Sequence, residues 1–186
     1  MHPEIDHFVI SVKKKFPEMF NSKRVLEVGS QDINGSVRKH FIFCDYTGID
    51  LGEAPGVDLV RDIIDYIHPN VFDVVISSEM LEHCKEWDDA LKQMYNNTKP
   101  GGLFILTCAG PKRQEHGTNN HTPQDSKFTL EHYRNISKEQ MRMKADDSHL
   151  PLYRVNNCYE LQLQSDFSEL EDDFIAKKAI ERGYYD

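Results

Sequence analysis

The stretch Arg24-Val25-Leu26-Glu27-Val28-Gly29-Ser30-Gln31-Asp32-Ile33-Asn34-Gly35-Ser36 restricts the fold of this chain more than any other. It reads as a short buried strand, a glycine-bearing loop, and the start of a helix at Ser36. Glycine after a strand lets backbone approach a ligand closely, because it has no side chain and tolerates positive φ. A helix N-terminus beyond the loop would offer unpaired N–H groups and a positive dipole end. Strand, loop and helix in that order describe a site for a nucleotide-type ligand. A dinucleotide fingerprint requires G-x-G-x-x-G. Here five residues separate Gly29 from Gly35, and Ser30, Gln31 and Asp32 stand where a pyrophosphate needs bare backbone. Glu27, just ahead of the loop, is a poor neighbour for phosphate and a good one for a cationic group.

Downstream, strand and helix patterns alternate. Before the loop, Ile5, Phe8, Val9, Val12, Phe16 and Phe20 fall at helical spacing and predict an amphipathic helix from Glu4 that ends around Pro17. Residues 24–29 form the first strand, and Ser36 to Phe41 begin a helix. Residues 46–51 read as a second strand ending in an acid, 57–60 as a third, and 72–77 as a fourth. The fourth is continuously apolar after Asp73, as central parallel strands are. Asp88 to Thr98 carries Ala90, Leu91 and Met94 on one helical face. Lys99-Pro100-Gly101-Gly102 is a turn signal, and 103–107 a fifth buried strand. This alternation predicts an α/β fold, a mainly parallel sheet with helices on both faces. Ligands in such sheets bind beyond the carboxyl ends of the strands. Gly29, Asp50, Asp62, Ser78 and Glu79 all sit at those ends.

The second half is less regular. Residues 109–127 form a polar, glycine- and proline-bearing segment long enough to be a functional lid. Ser137 to Ala145 predicts a short helix, 152–155 and 159–163 late strands of a hairpin, and 174–182 a terminal helix after an acidic run at 166–173. The length of 186 residues suits a single domain over 1–186. It divides into an N-terminal helix (1–22), a ligand-binding half (23–108), and a lid with an acceptor-side half (109–186).

A net charge of −9 disfavours nucleic acid as a partner, and Lys13-Lys14-Lys15 reads as a solvated helix face. Cys44, Cys84, Cys108 and Cys158 are dispersed with no C-x-x-C pair, which predicts free thiols in a reducing compartment. No signal-peptide pattern and no membrane-length apolar run is present, so a cytoplasmic chain without membrane contact is expected.

Read in order, Val25-Leu26-Glu27-Val28-Gly29-Ser30, Thr47-Gly48-Ile49-Asp50, Val60-Arg61-Asp62-Ile63, Phe72 through His83 with its Ser78-Glu79-Met80-Leu81-Glu82-His83 tail, and Lys99-Pro100-Gly101-Gly102 resemble the class I S-adenosylmethionine-dependent methyltransferases. Within that class, the chain is similar to the small-molecule group with a Glu-His pair after strand four. The resemblance covers about residues 24–108 and implies a Rossmann-like methyltransferase sandwich. The family's first loop is usually E-x-G-x-G-x-G. Here the second and third glycines are missing, and Asn34-Gly35 supplies a turn further on.

The resemblance implies S-adenosylmethionine as cofactor and S-adenosylhomocysteine as its product. The implied contact set is Glu27, Gly29, Ser30, Gly35, Asp50, Leu51, Asp62, Ile63, Ser78 and Glu79. Asp50 lies about 20 residues past Gly29, the offset of a ribose acid, and its carboxylate suits both ribose hydroxyls. Asp62 would face the adenine amino group, with Ile63 packing near the ring. Otherwise it is a helix N-cap. Glu27 would order the loop and favour the cationic end of the cofactor, Gly29 would approach the methionine part, and Ser78 and Glu79 would border the departing methyl. His83, one turn beyond Glu79, is a base candidate, a cofactor contact, or a packed structural histidine. In the lid, His116 and His121 are further base candidates. With Glu115 or Asp125 they match no compelling metal-ligand spacing, so no metal is expected. Tyr133 and Arg134 are acceptor contacts or simply packing.

Three activities remain open at this stage. The leading one is methyl transfer to an oxygen or nitrogen of a small molecule or glycan. The others are a non-catalytic methyltransferase-like binding module and a nicotinamide-dependent reductase of the same broad fold. A nucleic-acid methyltransferase is disfavoured, because Ser77-Ser78-Glu79-Met80 replaces the Asn-Pro-Pro-Tyr of base-amine enzymes. With no dedicated acceptor domain in view, residues 109–160, or a second subunit in a homodimer, must cover the site.

Overall fold

A computed structural model describes residues 3–147 and 171–177 of the chain. Its centre is a six-stranded sheet in the order β3-β2-β1-β4-β5-β6. The strands are β1 (Arg24–Val28), β2 (Asp45–Asp50), β3 (Leu59–Val60), β4 (Phe72–Ser78), β5 (Thr98–Ala109) and β6 (Glu171–Lys177). The first five run parallel, and β6 is antiparallel to β5 from Leu103↔Lys177 to Ala109↔Glu171. The strand order reverses between β1 and β4, so their carboxyl ends open a crevice at the switch point.

Alternation along each strand divides the core in two. Val25, Val74, Ile76, Leu103 and Ile105 face helix α1 (Pro3–Lys15), whose Ile5, Phe8, Val9 and Val12 are buried. Leu26, Val75, Phe104 and Leu106 face helix α2 (Trp87–Asn97) through Trp87, Ala90, Leu91, Met94 and Tyr95, with Met141 of α3 (Lys138–Asp147) in the same cluster. Each large side chain buried this way stabilises the fold by about 1.5–3 kcal/mol. Glu4 and Asp6 sit in the first turn of α1 and Lys13, Lys14 and Lys15 in its last, which matches the helix dipole. Asp6 also pairs with Lys39 (2.8 Å) and His40 (2.7 Å), and these contacts hold its carboxyl below the usual range. Ser137 and Gln140 cap α3 reciprocally: Gln140 N–H donates to Ser137 Oγ, and Ser137 N–H to Gln140 Oε1.

Three sequence expectations change. The helix expected from Ser36 is a single 3-10 turn, Val37–His40. Ser36 Oγ does cap it, accepting from Arg38 N–H (3.1 Å). Phe41 then returns to extended backbone, Ile42 bridges Asn21, and Phe43 takes φ +54. Val37 and Phe41 pack in the α1 cluster, so α1 already covers the face a longer helix would need. The Lys99-Pro100-Gly101-Gly102 signal lies inside β5 and does not end a strand. Pairing jumps from Phe72↔Thr98 to Val74↔Leu103, a bulge that Gly101 at φ +76 makes possible. Finally, residues 171–177, expected as the end of an acidic run and the start of a helix, form β6 on the edge of β5. The expected strands at 152–155 and 159–163 lie outside the described residues.

Candidate functional site

Beyond the carboxyl ends of β1–β4 lies one cavity of about 1200 Å3. All ten residues of the expected contact set line it, as do His83, His116 and His121. The volume exceeds that of an ordinary small-ligand pocket and leaves room for a second molecule beside a nucleoside.

The first loop is held from within. Gly29 has φ +76, and a Cβ there would stand 2.7 Å from Met80 Cβ, so only glycine lets the loop pass under residue 80. Gly29 and Ser30 N–H both donate to the Ile49 carbonyl (3.0 and 3.1 Å). Gln31 N–H donates to Asp50 Oδ2 (3.0 Å), Asp32 N–H to the Pro55 carbonyl (2.7 Å), and Gly35 N–H to Asp32 Oδ1 (2.6 Å). Most amides of the loop are therefore turned to partners within the protein and not to a phosphate. With the following helix reduced to one turn, the expected helix N-terminal anion site is absent too. Ser30 Oγ is buried without a hydrogen-bond partner at the cavity wall.

Glu27 is 4% exposed, on the strand that leads into this loop. Tyr46 OH donates to its Oε2 at 2.8 Å, and the Arg38 guanidinium lies 4.7 Å from the Tyr46 ring centroid. Burial outweighs this help and pushes the Glu27 carboxyl up to about 8. A buried acid bordering a cavity in this state is stabilised as a carboxylate once a cation arrives.

Asp50 ends β2 half-buried. It accepts from Leu51 N–H at Oδ1 (2.8 Å) as well as from Gln31, and burial still raises its pKa against those two donors. Its carboxylate thus ties the β1 and β2 loops together and retains acceptor capacity. Asp62 is exposed and accepts from Ile64 N–H (3.0 Å) in a turn, with no helix after it for it to cap; it also lines the cavity beside buried Ile63.

At the end of β4, Glu79 has φ +55, uncommon for a side-chain-bearing residue. Its N–H donates to the Thr107 carbonyl (3.0 Å) and its Oε1 accepts from Thr107 Oγ1 (2.9 Å). It is a strand-end residue clamped to β5. A 3-10 turn, Leu81–His83, follows, with Glu82 0% and His83 6% exposed. Burial and the neighbouring His116 lower the His83 pKa to about 4, so the ring is neutral.

Residues 110–137, which include most of the expected lid segment 109–127, return over this turn. Ile136 N–H donates to the Ala109 carbonyl and Arg134 N–H to the Glu82 carbonyl, both at 2.9 Å. The rings of His83, His116 and Tyr133 pack edge to face in a triangle with centroids 5.0–5.5 Å apart. His121 lines the cavity from an exposed position outside this triangle. Of the two readings of Tyr133 and Arg134, acceptor contacts or packing, the geometry favours packing: neither is among the lining residues. Tyr133 OH donates to the Gln114 carbonyl (3.1 Å), and Arg134 lies 5.6 Å from the Trp87 ring centroid. Their sequence position beyond the lid is right for the site, but their side chains pin the lid instead. Sequence reasoning overlooked Tyr46 and Met80, which mould the first loop, and the full burial of Glu82.

No curated protein sequence matches the chain. The family model described as methyltransferase domain matches residues 4–154. Among solved structures, phosphoethanolamine N-methyltransferase 2 of Haemonchus contortus in complex with S-adenosyl-L-methionine aligns with a TM-score of 0.57 and 23% identity, over 76% of this chain and 36% of that one. CurJ carbon methyltransferase aligns at 0.61 and 15% over 94% and 53%, and a SAM-dependent methyltransferase from Archaeoglobus fulgidus at 0.52 and 15% over 77% and 67%. The chain thus spans about a third of the Haemonchus enzyme and about half of the CurJ protein. These likenesses establish a shared Rossmann-like fold. Among the described residues no helix is long and apolar enough to cross a membrane.

Proposed function

The chain belongs to the methyltransferase-domain family, and from that premise we propose that it transfers a methyl group from S-adenosylmethionine to an oxygen or nitrogen of a small molecule or glycan. The observation that carries this reading is Glu27, a buried carboxyl at the cavity edge whose ionisation is unfavourable until a cation sits beside it. A cofactor with an ammonium group and no phosphate suits that acid and a first loop whose Gly29, Ser30, Gln31, Asp32 and Gly35 amides are engaged. Those engaged amides weigh against a nicotinamide dinucleotide, which needs them free.

When bound, S-adenosylmethionine supplies a methyl carbon already activated by a sulfonium. The protein's residues bind and orient. Glu27 takes the cationic amino end, and Ser30 Oγ, buried without a partner, offers a polar contact near it. Gly29 brings backbone close, and Gly35 shapes the far side of the loop. Asp50 accepts from the ribose hydroxyls, with Leu51 beside it. Asp62 and Ile63 meet the adenine, and Ser78 and Glu79 border the methyl. The 110–137 segment covers the cavity and excludes water. Alignment of this kind is worth up to about 7–11 kcal/mol in the best cases. Of the base candidates, His83 is neutral but weakly basic as it stands. His116 bonds Gln114 through Nδ1 (3.0 Å); because a carbonyl only accepts, Nε2 is left to receive a proton. His121 can approach an acceptor from the exposed side.

Calorimetric titration with S-adenosylhomocysteine and, separately, NADH tests the cofactor. We expect binding of the first and none of the second. Transfer of labelled methyl from S-adenosylmethionine into a small-molecule extract tests the activity. Binding without transfer would leave a non-catalytic module, and preference for NADH would overturn the reading.

A further inference from the structure

Beside the cavity, we propose, Glu82, His83 and His116 form a binding site for a single divalent transition-metal ion. One carboxylate oxygen of Glu82 and one ring nitrogen of each histidine lie within 4.8 Å of one another. Ligand atoms around a zinc-like ion stand about 3.3 Å apart, given metal–ligand bonds of about 2.0–2.1 Å. An ion would therefore draw the three side chains closer together.

The second observation is how each histidine is oriented. His83 is 6% exposed, and its Nδ1 is buried with no hydrogen-bond partner. The ring also lies close to the backbone of His132. His116 donates from Nδ1 to the Gln114 carbonyl, so its Nε2 keeps a lone pair. His116 thus has its N–H fixed on backbone and a lone pair left over on the other nitrogen, and His83 brings a buried nitrogen without a partner. Metal-ligating histidines are oriented in the same way, with the far N–H held on a carbonyl or carboxylate. An unsatisfied buried nitrogen is otherwise costly, by about 1–3 kcal/mol.

The surroundings hold the rings in place. Tyr133 packs against both imidazoles at 5.5 and 5.0 Å. Gly117, with φ +62, lets the lid lie on the His83 ring, since a Cβ there would come 2.7 Å from His83 Cε1. Glu82 comes from the fully buried side, whereas His83 and His116 both line the cavity. An ion between them would keep open coordination positions toward the cavity, where water or an acceptor oxygen completes the shell. Two imidazoles and one carboxylate favour zinc, cobalt(II), iron(II) or nickel(II) over magnesium or calcium. Sequence spacing could not reveal this set, because the donors are adjacent only through the lid. The metal site does not rest on the cofactor reading, and its test reads metal directly; an ion bound there takes the His116 lone pair and leaves His121 as the base candidate.

The full chain is stripped with a chelator, dialysed, and titrated with Co2+ while its visible absorption is followed; Zn2+ is then added in competition. We expect one equivalent of Co2+, a visible band of low-symmetry nitrogen and oxygen ligation, and displacement by one equivalent of Zn2+. His116→Ala and Glu82→Gln should each weaken Co2+ binding by more than about 100-fold, beyond the 10–100-fold typical of losing an outer-shell partner. Thermal unfolding and S-adenosylhomocysteine titration of the same samples report folding and the cofactor site separately. If a variant does not fold, nitrogen NMR of the unmodified protein serves: Zn2+ should shift ring nitrogens of two of its nine histidines. Failure of the stripped protein to take up Co2+ or Zn2+, equal binding by the variants, or Zn2+-induced shifts at other histidines would overturn the proposal.

Discussion

Replacing Glu27 by Gln removes a titrating group and nearly nothing else, so it isolates what the buried carboxyl does. In the folded chain the Glu27 pKa is about 8, against 4.5 for an unperturbed glutamate. Between those values the native state holds a proton that the unfolded chain has released. Stability therefore falls as pH rises through that window, and the loss ends above the folded pKa. At 1.36 kcal/mol per unit the whole window is worth on the order of 5 kcal/mol. The Gln variant keeps a partner for Tyr46 OH and has no such slope. It should match the wild type near pH 4.5 and exceed it by several kcal/mol above pH 8. Urea denaturation of both proteins at pH 5 and 8.5 reads this difference. Binding turns the sign around. A ligand ammonium favours the carboxylate, so S-adenosylhomocysteine should expel close to one proton near pH 7, seen as a binding enthalpy that depends on the buffer. The ionisation opposes binding by about 1.4 kcal/mol at pH 7 and by little at pH 9, so wild-type affinity should rise with pH. The variant should bind more weakly and release no proton. A wild-type-to-variant stability difference that stays constant from pH 5 to 8.5 would refute the burial argument. Tight binding with no proton exchanged would refute the ammonium contact.

Gly29→Ala places a Cβ 2.7 Å from Met80 at φ +76; we expect a loss of about 1–3 kcal/mol in stability from backbone strain and a larger loss in cofactor affinity, read by denaturation and calorimetry. Asp50→Asn keeps an acceptor for only one of the Gln31 and Leu51 amides, which bond different carboxylate oxygens, and loses the charge; cofactor affinity should drop by at least about 1.5–3 kcal/mol, the worth of a charged hydrogen bond, with S-adenosylhomocysteine as titrant. Phe8→Ala, 1% exposed between α1 and the sheet, should cost about 3–5 kcal/mol. If the denaturation midpoint barely moves, α1 is not part of the cooperative core.

The strands of the parallel sheet were legible because each is a local signal. Phe72, Val74, Val75 and Ile76 must be buried whichever way their neighbours lie, and the acids and glycines at the strand ends follow from topology. Glu27, Gly29 and Asp50 could be read for the same reason: an acid or glycine at a strand tip has few other places to go. Ser36 shows where local reading stops. It carries a true cap signal, but a helix also needs an apolar face to cover, and α1 had taken that face.

Residues 171–177 make the same point in reverse. Phe174, Ile175 and Ala176 suit a helix or a strand, and the open edge of β5, far away in sequence, decides for the strand. Glu82, His83, His116 and Tyr133 form one cluster only because the lid folds back over the turn after β4. His83 and His116 could be named from the sequence as reactive residues, yet nothing local distinguished them from His121, which stays outside the cluster. The chain alone thus determined the period of its elements and the chemistry at the strand tips, since both are set by neighbours a few residues away. Which faces were already covered, which edge received a partner, and which side chains met across the lid depended on long-range packing, and only the tertiary structure decided them.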